Sequence, residues 1–155
     1  MENKDVRFMQ EALLLAQKAF EIGEIPVGAI VVDSGGNVIS RAYNLRETEK
    51  KATAHAEILA IEQACAALGG WRLQGCTLYV TLEPCPMCAG ALINSRIDRV
   101  VFGAYDMQAG CCGSVVNFNA YPFNHSFDVT GGILERECRE MLTEFFKKKR
   151  RGCLI

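Results

Sequence analysis

The chain has 155 residues, half of them hydrophobic, and a formal net charge of −1. That length predicts one domain, 1–155, with enough apolar residues for a sizeable core. No run of about 18 apolar residues argues for a membrane-spanning helix, and near-neutrality excludes a polycation that coats nucleic acid along its whole length.

The polar start, Met1-Glu2-Asn3-Lys4-Asp5, does not read as a secretory signal, so a cytoplasmic location is the expectation. Asp5 is positioned to cap a first helix, in which Val6, Met9, Ala12, Leu13, Ala16 and Phe20 follow helical spacing and Gly23 is the stop. Val27 to Val32 reads as a buried strand. The turn residues Asp33-Ser34-Gly35-Gly36-Asn37 then return Val38 to Tyr43 as an antiparallel hairpin. A polar loop runs from Asn44 to Ala52. Thr53 reads as the cap of a second helix reaching Leu68 and ended by Gly69-Gly70, with Trp71 as a core anchor just beyond. Cys76 to Leu82 is a third strand. Pro84 and Pro86 stop it, and Pro86 suits the first turn of a third helix reaching Asn94. Arg99 to Ala104 is a fourth strand. The weakly patterned stretch from Tyr105 to Thr130 is expected to be a functional loop with a short strand or helical turn. Ile133 to Lys149 is a final amphipathic helix leading into a basic tail, 147–155. Helices alternating with strands after a hairpin imply an α/β sandwich around a mixed sheet.

Chemistry concentrates in two segments, His55-Ala56-Glu57 and Pro84-Cys85-Pro86-Met87-Cys88. One imidazole and two thiolates can hold a zinc ion with one coordination position open, as catalytic rather than structural zinc sites do. Glu57 is then a carboxylate left over to act as general base and acid on a metal-activated water. Both segments fall at predicted helix N-termini, where unpaired N–H groups and the helix dipole favour thiolates. His55 and Glu57 lie roughly 200° apart around a helix axis, so they reach one point only from the first turn. Glu83 can orient a ligand from behind.

Other readings compete. A lone Cys-x-x-Cys also suits redox chemistry or half a zinc ribbon, a non-catalytic module; the redox site needs no His-x-Glu and the ribbon lacks a second Cys-x-x-Cys. Eight cysteines, at 65, 76, 85, 88, 111, 112, 138 and 153, in a chain with no signal favour reduced thiols over a disulfide framework. Cys65, Cys76 and Cys138 read as core, and Cys111-Cys112 as small apolar loop residues. The run Lys147-Lys148-Lys149-Arg150-Arg151 and the looser cluster of Arg41, Arg46, Lys50 and Lys51 read first as solvated surface, but also suit an anionic polymer gripped at one face.

Thr53-Ala54-His55-Ala56-Glu57 and the stretch from Tyr79 through Glu83-Pro84-Cys85-Pro86-Met87-Cys88 to Leu92 closely resemble the tRNA-specific adenosine deaminases. The resemblance continues through Ser95-Arg96-Ile97, Arg99 to Ala104, Asp106, Gly113-Ser114, Asn124-His125, Gly132-Ile133-Leu134 and Phe145-Phe146, and it includes Pro26 to Ala29 and Asn44. It implies a cytidine-deaminase-like three-layer α/β/α sandwich with a five-stranded mixed sheet, one Zn2+ per chain and a homodimer. It implies hydrolysis of the wobble adenosine in a tRNA anticodon stem-loop to inosine, with the base flipped into the site. On that resemblance Asn44 contacts the adenine or its sugar, and the backbone at Ala56 reads the base edge. Asp106 accepts a ribose hydroxyl, and Asn124, His125, Phe145 and Phe146 line the RNA face. Two departures stand out: Lys51-Ala52 where many relatives have Asp-Pro, and Pro86 where many have Val. Cys-Pro-x-Cys also occurs in deaminases of small molecules, so a deaminase of a free base or nucleoside such as guanine or cytidine is the nearest rival.

Overall fold

In the computed structural model, which describes residues 3–152, helix α1 spans Lys4–Glu21. Its cap is Asn3 rather than Asp5: the Asn3 side chain accepts from the Asp5 backbone N–H at 2.8 Å. Asp5, freed from capping, accepts a 2.8 Å bond from the Tyr79 hydroxyl and two from the Arg99 guanidinium at 3.0 and 2.8 Å. Those bonds pin the first helix to the sheet.

The strands are β1 (Gly28–Val32), β2 (Val38–Tyr43), β3 (Thr77–Leu82), β4 (Arg99–Ala104) and β5 (Asp128–Thr130), in the order β2-β1-β3-β4-β5. β1 pairs antiparallel with both β2 and β3, whereas β3–β4 and β4–β5 are parallel, so the sheet is mixed. All five residues of β1 are buried because both faces are covered. The period of two divides them: Ala29 and Val31 join the core on one side, Ile30 and Val32 the other. Helices α3 (Ala56–Leu68) and α4 (Pro86–Asn94) cover the first side; α1 and α5 (Glu135–Arg150) cover the second. This is the three-layer α/β/α sandwich with a five-stranded mixed sheet. α1 lies so close to β1 that a Cβ on Gly28 would fall on the Ala12 carbonyl oxygen, which is why no larger residue suits that position.

Several expectations shift. The cap of α3 is His55, not Thr53. The polar loop contains a one-turn helix, α2, at Arg46–Glu49. The stretch 105–130 carries a 3-10 turn at Phe118–Ala120, a bridge between Cys112 and Asn117, and β5. Trp71 is not a core anchor: it is 52% exposed, with the Arg72 and Arg96 guanidinia 4.3 and 5.7 Å from its ring. Gly69 ends α3 in the left-handed conformation, and Leu73, wholly buried, takes the anchoring role. Cys76 and Cys138 are buried, and Cys65 is half-buried. The basic run occupies the last turn of α5, where cations favour the helix dipole; residues 153–155 of the basic tail, Cys153 among them, lie outside the described residues. Among the described residues no helix is long and apolar enough to cross a membrane.

Candidate active site

The two helices that carry the metal-type residues begin at them. His55 is the cap residue of α3 and Cys85 that of α4, and neither end has a side-chain capping bond. Pro86 opens α4, where its missing N–H costs nothing. The side chains that would ordinarily cap turn instead toward each other. His55 Nδ1 lies 3.6 Å from Cys85 Sγ and 3.5 Å from Cys88 Sγ. The ligand atoms of His55, Cys85 and Cys88 all fall within 4.8 Å of one another, and among the described residues theirs is the cluster suited to a metal ion. One nitrogen and two sulfurs are a zinc-type donor set, and three ligands leave the fourth position of a tetrahedron free.

The electrostatics fit that occupant. A bond from the Cys88 thiol, and next one from His55, outweigh burial and bring the Cys85 thiol down to about 4. The same bond to Cys85, with burial, pushes Cys88 well up. Both sulfurs would bind zinc as thiolates, releasing the proton that Cys88 carries. The bond to Cys85 raises His55. Glu57, 4% exposed, is pushed up to about 7 chiefly by burial, with the Cys85 charge adding to the effect.

A cavity of about 170 Å³ opens onto this centre. It falls below the roughly 300–1,000 Å³ of drug-sized sites, so it admits one flat heterocycle and leaves the rest of a larger substrate outside. His55, Ala56, Glu57 and Cys85 meet there with two further groups: Ile25, Val27, Asn44 and Arg46 from the first part of the chain, and Leu82, Glu83, Asp106 and Ala109 from the second.

Asn44 is buried. Its Nδ2 donates to the Ile25 carbonyl at 3.3 Å and its Oδ1 accepts from the Arg46 N–H at 3.1 Å. Asp106 accepts from the Gln108 and Ala109 N–H groups at 3.0 and 3.2 Å. Glu83 lines the cavity, but its carboxylate bonds the loop after β4. Its buried carboxylate accepts from the N–H groups of Asp106, Cys112 and Ser114 at 3.1, 3.0 and 3.1 Å, and from the Ser114 hydroxyl. Gly110 makes that packing possible, since a Cβ there would fall on the Glu83 carboxylate.

Asn124 and His125 do not line the cavity; Asn124 is exposed, and His125 Nε2 is bonded to the Ile97 carbonyl at 2.7 Å. Phe145 cannot line an RNA face. It is 1% exposed, its ring packed edge-on to Phe20 at 5.6 Å and to Phe146 at 5.4 Å, because its position on α5 points to the core. Phe146 is 38% exposed. Ile25, Val27, Leu82 and Ala109 line the cavity without having been expected as site residues, and Arg46 was expected only as a member of a basic cluster. For Arg46 a local signal existed: an Asn two residues ahead of it invites the Asx turn that aims this segment.

A buried carboxylate beside an open His-Cys-Cys centre, at a base-sized cavity in an α/β/α sandwich, has the make-up of a zinc-dependent hydrolytic deaminase. Residues 2–104 match the cytidine and deoxycytidylate deaminase zinc-binding region. The chain is 54% identical over 149 residues to the tRNA-specific adenosine deaminase of Bacillus subtilis (strain 168), covering 96% of this chain and 92% of that protein. A structure solved in work on A-to-I editing by tRNA:A34 deaminases superposes with a TM-score of 0.84 at 46% identity, covering 87% of this chain and 98% of its own. The guanine deaminase from Nitrosomonas europaea superposes with a TM-score of 0.79 at 26% identity, covering 90% of this chain and 83% of its own. The chain belongs to the zinc-binding cytidine and deoxycytidylate deaminase family and, within it, to the tRNA-specific adenosine deaminases.

Proposed function

We propose that this protein hydrolyses the wobble adenosine of a tRNA anticodon loop to inosine, releasing ammonia. The observation that carries the chemistry is Glu57, a buried carboxylate at the edge of an open three-donor centre, facing a cavity the size of one base. His55, Cys85 and Cys88 would hold the zinc, whose Lewis acidity would lower the pKa of a water to about 7. The adenine swings out of the anticodon loop into the cavity. Glu57 takes the first water proton and hands it to the ring nitrogen beside C6, then takes the second from the hydroxyl now on C6 and delivers it to the departing amine. The C6–N bond breaks, a C6–O bond forms, and the balance is one water consumed and one ammonia released.

Asn44 and the Ala56 backbone hold the base and its sugar, and Asp106 accepts a ribose hydroxyl. Glu83 fixes the loop that carries Asp106. Asn124, His125 and Phe146 contribute to the surface met by the anticodon stem-loop outside the cavity, and the basic end of α5 attracts the phosphates. The working enzyme is a cytoplasmic homodimer of one-domain subunits; Val115 and Phe123, 52% and 54% exposed, supply apolar surface for a second copy.

The test is inosine formation on an anticodon stem-loop with adenosine at the wobble position, run beside free adenine, guanine and cytidine. Conversion of the stem-loop alone is expected. Conversion of a free base alone overturns the RNA reading and keeps the metal chemistry. Glu57→Ala is expected to retain about one zinc per chain and lose turnover by ~10²–10⁴-fold; a zinc-free protein with a titratable dithiol marks a redox module instead. Sedimentation checks the dimer against a subunit mass of 17.1 kDa.

A further inference from the structure

Glu24 lies outside the donor cluster and does not line the cavity, yet it is 1% exposed. Its backbone N–H is tied to the end of α1, donating to the Ala19 carbonyl at 2.9 Å. Its carboxylate accepts from the Glu47 N–H at 3.1 Å, the Thr48 N–H at 2.7 Å and the Thr48 hydroxyl at 2.6 Å. All three donors come from α2, directly after Arg46.

Apart from the Arg46 N–H bonded to Asn44 Oδ1 and the Leu45 N–H bonded to Ala54, that short helix has few other ties to the rest of the fold. It has no side-chain cap and no buried residue of its own. It connects two points that matter: Asn44 and Arg46, which line the cavity, and Ala54, whose carbonyl accepts from the Leu45 N–H at 3.0 Å one residue before His55. The Asn44 N–H is itself tied to the Val27 carbonyl at 3.1 Å. Burying a carboxylate is costly unless its partners repay the lost hydration, and here every partner belongs to this one segment.

We infer that Glu24 is a positioning residue for substrate: it clips α2 to the end of α1 and so sets Asn44 and Arg46 against the cavity. It touches neither substrate nor zinc. Glu83 does the corresponding work on the opposite group of lining residues, through the 106–114 loop.

A residue acting in this way affects how well substrate is held more than how fast a bound substrate reacts. Glu24→Gln offers one acceptor oxygen in place of two and turns an NH₂ toward the second backbone N–H. The expected result on the stem-loop is a rise in KM of about 10-fold with kcat within about threefold of wild type. Zinc content stays at one per chain. The amides of residues 46–50 exchange faster with solvent, while those of β1 and β3 do not. If Glu24→Gln does not fold, Thr48→Val removes one of the three donors from an exposed residue and is expected to raise KM by about threefold in the same pattern. Unchanged KM and unchanged exchange in a folded variant overturn the inference. So does a fall in kcat that simply follows loss of zinc.

The inference rests on the cavity being the substrate site proposed above, and the two fail separately. A wild-type enzyme that converts only a free base sinks the tRNA reading and leaves Glu24 to be judged by KM for that base. Should no substrate be converted, the exchange of residues 46–50 decides.

Discussion

Asp5 shows how much one side chain can be asked to do. Burial by itself would raise its pKa, but the bonds from Arg99 and Tyr79 hold it below the ordinary value of 3.8. The Asp5 and Arg99 side chains are only 14% and 29% exposed, so this pair is shielded from water more than a surface ion pair is. Because the folded pKa is the depressed one, the native state binds fewer protons than the unfolded chain. The stabilisation is complete above 3.8 and disappears as pH falls through the lower folded value. Asp5→Asn is expected to cost about 1.5–3 kcal/mol near neutral pH. Urea unfolding of both proteins from pH 7 downward checks this, and the gap between them should narrow below about pH 4 and close once the lowered folded value is passed. A gap that persists in acid would mean Asp5 acts through packing and not through its charge.

Among the elements, the long periodic ones were legible and the short ones were not. The apolar stripe of α1 and the apolar runs of β1, β3 and β4 carry their own signal, because each buries a face against a layer already present. The clustering of His55, Cys85 and Cys88 was legible for a different reason: ligands placed at two helix starts constrain where those helices begin. What escaped was built from single hydrogen bonds. Nothing in the polarity of residues 44–52 reveals α2, since its anchor, Glu24, lies about 23 residues earlier in the chain. The loop after β4 is similarly organised by Glu83 from a distance. A direct check is Gly110→Ala. The added methyl meets the Glu83 carboxylate, so the 106–114 loop must shift, at an expected cost of about 1–3 kcal/mol in the melt. The catalytic loss should exceed what the unfolded fraction explains, since Asp106 and Ala109 move with the loop. An active Gly110→Ala enzyme with an unchanged melt would show that the loop is not held as tightly as described.

For the molecule as a whole, the charges nearly cancel and their distribution matters more. Lys147, Lys148, Lys149 and Arg150 fill one helix turn on a chain of net charge −1. Part of that charge is already engaged: Lys148 lies 4.0 Å from Glu144 and 5.2 Å from the Phe20 ring. If the rest meets phosphates, stem-loop affinity falls with salt, and reversing Lys147 and Lys149 to Glu flattens the dependence by about 0.7–0.9 in log–log slope for each phosphate no longer neutralised. Binding measured between 50 and 200 mM salt reads this, and a slope unaffected by the two reversals would return the basic turn to ordinary surface.

His55 and Cys85, the cap residues of α3 and α4, have a consequence for the lifetime of the protein in a cell. Two helices on one side of the sheet start at residues whose side chains meet one another, and a shared ion would strengthen that tie. Metal that binds the folded chain and not the unfolded one adds about 2.7 kcal/mol at a hundred times its dissociation constant. When the metal runs short that contribution is lost, and a larger fraction of the chains is open to cellular proteases. Scarcity then shows first as fewer molecules rather than as slower ones, and restoring the metal to an extract recovers only the copies that degradation has spared.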